Sequence, residues 1–170
     1  MIRPIRVLPL VLLALAVGAC AKKTKPEAPV EDTTPPPVTT EPAPTDGRYT
    51  ATDLDRVPCL RERVVYFDFD RADIRGEAQE ILGCHGKYLR DNPGAAVTLE
   101  GHADERGTRE YNLGLGERRG NAVTGALQAN GGSAGQLTVV SYGEERPTCS
   151  ESDEGCWSRN RRVEIVYTAK

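Results

Sequence analysis

The stretch GHADERGTREYNLGLGERRG, residues 101–120, decides how the rest of the chain is read. Thr108 is a helix N-cap and Glu110 falls in the first turn, where a negative charge suits the helix dipole. Winding the following residues at ~100° each places Tyr111, Leu115, Ala122, Val123 and Ala126 on one apolar stripe. Arg119 falls near the middle of that stripe, about 40° from Leu115 by the same arithmetic, and Arg118 at its edge. A guanidinium on a core-facing stripe needs a partner, because an unpaired buried charge is strongly unfavourable. The expected partner is a carboxylate, from the protein or from a ligand, and Asp104 in the preceding loop is the protein candidate. Gly114, Gly116, Gly120 and Gly125 oppose the helix at roughly 1 kcal/mol each relative to Ala. Either packing overrides that cost or the helix is shorter than the pattern.

Outward from this stretch, strands and helices alternate. VVYFDF (64–69) is β-branched and aromatic, a strand signal. Residues 77–90 predict a helix with Ala78, Ile81, Leu82, His85, Tyr88 and Leu89 on one face, stopped by Asn92, Pro93 and Gly94. AVTLEG (96–101) is the second strand, and the second helix runs to the Gly131-Gly132 pair. LTVVSYG (137–143) is the third strand and RRVEIVY (161–167) the last. The order β-α-β-α-β-β predicts a single α/β domain with helices packed on a small mixed sheet. The pattern leaves the direction of the last strand open.

The N-terminus has the composition of a targeting segment. Arg3 and Arg6 precede the apolar run VLPLVLLALAVGA (7–19), which is short for a membrane span and contains proline. Gly18 and Ala19 before Cys20 resemble a bacterial lipobox, which implies cleavage before Cys20 and lipidation of that residue. Ala21 in place of Asp implies sorting to the outer membrane. Seven of the 12 prolines lie between residues 26 and 44, in a stretch poor in apolar residues. Such a stretch predicts a disordered tether, extended at roughly 3.1 Å per residue. The expected layout is a signal peptide at 1–19, a lipidated cysteine and linker at 20–57, and a folded domain at 58–170.

Without Arg3 and Arg6, the 22 basic residues against 25 acidic ones leave a net charge of about −5, which disfavours nucleic acid as a partner. Four cysteines remain after Cys20. In an exported chain an even number predicts disulfides, with three pairings possible. Cys149 and Cys156 bracket the loop SESDEG and form the expected local pair, which leaves Cys59 with Cys84. A metal site is the alternative, but CxxC spacing is missing and histidine is scarce. No metal or cofactor is expected.

Asp104 and Arg119 admit two readings. One is a structural ion pair pinning the loop to the helix. The other is a pocket in which Asp accepts from an ammonium while Arg grips a carboxylate, a fit for an amino-acid zwitterion. His102 beside Asp104 raises general acid–base work on cell-wall peptides as an alternative, but no nucleophile or metal set accompanies it. His85 is expected to be a satisfied core residue.

The segments VVYFDFDRADIRGEAQEIL, VTLEGHADERGTREYNLGLGERRGNAV, VVSYGEERP and SRNRRVEIVY resemble the OmpA C-terminal family, over nearly all of 62–167. The lipobox and Pro-rich tether resemble its lipid-anchored members. The resemblance implies non-enzymatic binding of peptidoglycan through diaminopimelate of the stem peptide, in a protein that ties the outer membrane to the wall from its periplasmic side. It assigns the ammonium to Asp104 and the carboxylate to Arg119. Phe69 and Asp70 would line the pocket and Asn112 would support the helix start. It further implies a TolB-like periplasmic partner competing for the same face. Arg161 and Arg162 are candidates for the pocket floor or that partner face. Two departures stand out: Gly120 replaces the family's Ala, expected to loosen the helix, and the cysteine-bearing loop 148–155 is unusual.

Overall fold

The computed structural model describes residues 47–170. Cys20, the targeting segment and most of the expected tether lie outside the described residues. Two short helices, α1 (Asp53–Arg56) and α2 (Pro58–Arg61), precede strand β1 (Val64–Tyr66). Then follow α3 (Ala78–Asp91), β2 (Ala96–His102), α4 (Arg109–Ala129), β3 (Leu137–Gly143), α5 (Glu154–Asn160) and β4 (Arg162–Ala169). Folded chain therefore begins before residue 58. Leu54 is fully buried in the core, and Tyr49 packs on that core while its N–H donates to Asp91 Oδ2 at 2.9 Å.

The strands form one sheet in the order β1-β4-β2-β3. β4 lies between β1 and β2 and runs antiparallel to both, while β2 and β3 are parallel and joined through α4. This settles the direction of the last strand. Its alternation puts Val163 and Ile165 into the core with Val97 and Leu99, under α3 and α4, and leaves Glu164 and Val166 half-buried on the other face. The α3 face is as expected except that Ile81 is only half-buried. His85 is buried and satisfied: Nε2–H donates to Glu62 O at 2.9 Å, so Nδ1 accepts from the Tyr167 hydroxyl at 2.7 Å. Cys59–Cys84 joins α2 to α3, and Cys149–Cys156 closes the loop before α5.

Two expectations need correction. β1 ends at Tyr66 rather than Phe69. Phe67 still donates its N–H to Arg161 O at 3.0 Å, and the chain then turns away at Asp70, whose φ is 55°. The buried face of α4 is Asn112, Leu115, Gly116, Arg119, Gly120, Val123 and Leu127, while Tyr111 is 45% exposed. The buried face is rotated from the apolar stripe because glycines, which add nothing to an apolar stripe, are part of this contact. A Cβ on Gly116 would collide with Ser141 Oγ and come within 2.9 Å of Gly101 O; one on Gly120 would lie 2.5 Å from Val139 Cγ1. Gly120 therefore does not loosen the helix; it seats the helix on β3.

Gly125 is exposed, and nothing lies within 4 Å of a Cβ built there. Gly125→Ala should raise stability by ~0.5–1 kcal/mol through helix propensity. Gly116→Ala should lower it by ~1–3 kcal/mol through overpacking. Urea unfolding of the two variants measures both signs.

Candidate functional site

Three turns converge at one end of the sheet. The first follows β1. Asp70 adopts a left-handed backbone that Asp tolerates better than most residues, and this turn leaves Phe69 55% exposed. The second is the loop after β2, which carries Asp104. The third is the start of α4, where Thr108 Oγ1 accepts the Tyr111 N–H at 3.2 Å as the N-cap. Gly107, at φ 114°, makes the bend between loop and helix.

Asn112 holds the loop in place. Its side-chain amide lies 3.1 Å from Asp104 O and 3.2 Å from Arg106 O and also reaches Glu144. It thus supports the helix start by satisfying loop carbonyls that would otherwise be stranded in the interior.

Arg119 is fully buried, but its partners are not carboxylates. Nε donates to Arg71 O at 2.8 Å, Nη1 to His102 O at 2.8 Å and Nη2 to Asp68 O at 3.1 Å. Three backbone carbonyls thus accept from the buried guanidinium, and the first of the two readings, a structural Asp104–Arg119 ion pair, is not formed. Sequence cannot reveal such partners, because every residue has a carbonyl and only the fold says which ones are aimed. Burial pushes the Arg119 pKa down to about 10, with Asp104 opposing the shift, so the group is charged at neutral pH.

Asp104, 4% exposed, is gripped by two other arginines. Arg106 donates from Nε to Oδ1 at 3.1 Å and from Nη2 to Oδ2 at 2.6 Å; Arg161 Nη1 reaches Oδ2 at 3.3 Å. Burial raises the Asp104 carboxyl, but the Arg106 and Arg161 hydrogen bonds outweigh it and hold the pKa below its ordinary value. Arg106 also stacks on Phe69, 3.9 Å from the ring centroid, and on Trp157 at 4.2 Å. Arg161 further donates to Phe67 O at 3.1 Å, and Arg162 pairs with Glu164; neither lines the pocket that these turns form.

These groups enclose a pocket of about 180 Å³ lined by Phe69, Asp70, Asp104, Asn112 and Arg119, all five expected from the sequence. Arg106, Gly107, Tyr111 and Leu115 complete it. The Tyr111 hydroxyl donates to Asp70. Arg106 was missed because, two residues from Asp104, it reads as a solvated loop charge. Tyr111, on the expected core stripe, instead belongs to the pocket rim.

His102 does not line the pocket. Its ring is buried against Tyr142, and only its carbonyl touches Arg119. Burial and the Arg162 guanidinium push its pKa down to about 4, although Glu164 opposes this. A base so weak and so placed does not serve acid–base chemistry at Asp104.

The OmpA family pattern matches residues 66–161. The chain belongs to the OmpA family. Among its relatives there, the peptidoglycan-associated lipoprotein of Haemophilus influenzae is 48% identical over 125 residues, covering 74% of this chain and 79% of the relative. That of Pseudomonas aeruginosa is 52% identical over 100 residues, 59% of either chain. The crystal structure of the Burkholderia pseudomallei peptidoglycan-associated lipoprotein superposes with a TM-score of 0.66 at 40% identity, over 68% of this chain and 98% of that one. The C-terminal domain of Helicobacter pylori MotB, 20% identical with a TM-score of 0.57 over 62% of this chain and 83% of its own, shares the OmpA-family fold.

His102 and His85 both have lowered pKa values from burial, so the unfolded chain binds more protons as pH falls below 6.5. Stability should therefore be full above pH 6.5 and decline between 6.5 and about 4. A thermal melt series should show Tm lower by at least ~5 °C at pH 4.5 than at pH 7.5. His102→Phe should flatten part of that slope.

Proposed function

We propose that this chain is a lipid-anchored, peptidoglycan-binding protein of the outer membrane, facing the periplasm, and that its pocket takes the free amino-acid end of diaminopimelate in the stem peptide. The relatives named peptidoglycan-associated lipoprotein support the first part, and the charge layout of the pocket supports the second. The observation that carries it is the chemistry around Arg119. Its three acceptors are neutral carbonyls, so its positive charge has no counter-ion among the groups it bonds. A ligand carboxylate supplies that counter-charge and uses the guanidinium donors the carbonyls leave over.

The ligand's ammonium then goes to Asp104, with the Asp70 carboxylate lining the same pocket. Exposed Phe69 and Tyr111 form the rim over which the rest of the stem peptide leaves. Binding needs no bond to break, and the role is attachment rather than catalysis. Cys20 carries the lipid, and the Pro-rich tether lets the domain reach the wall from the membrane. A TolB-like periplasmic partner competes for this same rim.

Asp104→Asn keeps the side-chain shape and removes the charge. It should weaken co-sedimentation with purified sacculi at least ~10-fold, the scale of one lost charge-assisted contact, and free meso-diaminopimelate should compete with the unmodified protein. A folded variant that still co-sediments fully overturns the pocket assignment. Arg119→Ala would also strand three carbonyls, so its binding loss counts only beside a measured melting curve. Cys20→Ala should move the protein from the membrane to the soluble fraction; continued membrane fractionation removes the anchor from the reading.

A further inference from the structure

The cysteine-bearing loop leads directly into α5, and α5 touches every cation that holds Asp104. This helix has seven residues, Glu154–Asn160, too few to be stable alone. It is held from one end of its loop to the other. Asp153 Oδ1 caps it by accepting the Cys156 N–H at 2.9 Å. The Cys149–Cys156 bridge ties its first turn to the incoming chain. Asn160 Oδ1 accepts the Thr148 N–H at 2.8 Å while its amide donates to Cys149 O at 3.0 Å. Cys156 and Asn160 are both buried.

Toward the pocket, α5 presents Trp157 and Glu154. Trp157 stacks on the Arg106 guanidinium at 4.2 Å and donates Nε1–H to Glu105 at 3.1 Å. Glu154 accepts from Arg161 and lies 3.8 Å from Arg106. Arg106 and Arg161 are the two residues whose side chains bond the Asp104 carboxylate.

We propose that α5, clasped by the Cys149–Cys156 bridge, is the element that positions the Asp104 carboxylate, with Trp157 and Glu154 acting as positioning residues through Arg106 and Arg161. The proposal rests on the pocket reading above, but the geometry it concerns exists without ligand. Opening the bridge frees the loop, the Trp157 ring no longer backs Arg106, and Asp104 is held in a broader range of orientations. The second bridge supplies an internal control. Cys59–Cys84 joins α2 to α3, neither of which carries a residue that lines the pocket. Its loss should cost stability and leave the site intact.

The test uses the full chain carrying Cys149→Ser with Cys156→Ser, compared with Cys59→Ser with Cys84→Ser and with Trp157→Leu in the otherwise unchanged protein. Affinity is measured by calorimetry with a soluble disaccharide tripeptide ending in meso-diaminopimelate. The Nε–H signals of Arg106 and Arg161 are followed by NMR without ligand. Opening the Cys149–Cys156 bridge should weaken binding about 10-fold, the size expected for coupled neighbours, and broaden both Nε–H signals. The Cys59–Cys84 pair should lower Tm while leaving affinity and both signals unchanged. Trp157→Leu should reproduce the first result, and combining it with the opened bridge should add little. Sharp, unshifted Arg106 and Arg161 signals in folded Cys149→Ser/Cys156→Ser protein overturn the proposal. Should that variant not fold, the same signals in Trp157→Leu decide it in the same way. Failure of the unmodified chain to bind the disaccharide tripeptide would sink the ligand assignment instead, and the NMR signals would still decide the clasp.

Discussion

The site is organised by one guanidinium surrounded by carbonyl oxygens. Arg119 bonds the backbone of Asp68 and Arg71, in the turn after β1, and of His102, at the end of β2. Two chain segments that share no ladder hydrogen bond are thereby held at a fixed separation, and that gap is the pocket. Carbonyl dipoles stabilise the charge without neutralising it. The result is a buried cation whose hydrogen-bond acceptors are all neutral. Close approach of α4 to the sheet makes the arrangement possible. Gly116 lies against Gly101, and Gly120 against Val139, so the guanidinium one residue before Gly120 is delivered to the sheet's end.

Around that centre the charges are divided by task. Asp104 is held by Arg106 and Arg161, and Asp70 accepts from Tyr111 at the rim. The pocket lining thus brings together the acidic Asp70 and Asp104 and the basic Arg106 and Arg119. Placing the groups on turns beyond the strand ends leaves the sheet free to be a rigid support. The two bridges fall on either side of the same division. Cys59–Cys84 secures the helices at the start of the domain, while Cys149–Cys156 secures the short helix behind Asp104.

Helix α3, strands β2 and β3 and the Thr108 cap were legible because their signals are local: a 3.6-residue period, an apolar run, a hydroxyl ahead of a helix. Asp104 and Arg119 were legible as a charge pair at a loop and on a core-facing stripe, whereas the pocket roles of Phe69, Asp70 and Asn112 came from the resemblance to the family motif. Arg106 was not, since a loop arginine near an aspartate looks the same whether solvated or stacked between Phe69 and Trp157. The face of α4 was read one step off because glycine contributes nothing to an apolar stripe, yet permits the closest contact. The short helix α5 carries no amphipathic pattern long enough to detect.

The sequence by itself determined the α/β class, the order of the four strands and two long helices, the family motif and the presence of a buried cation, since these follow from side-chain type and period along one chain. Only the tertiary structure decided that β4 enters the middle of the sheet, that carbonyls rather than a carboxylate satisfy Arg119, and that α5 stands behind Asp104. Each of those depends on backbone groups or on residues far apart in the chain. Backbone amides and carbonyls are the same at every position, so their use as partners is set by where the fold brings them and leaves no mark in the order of side chains.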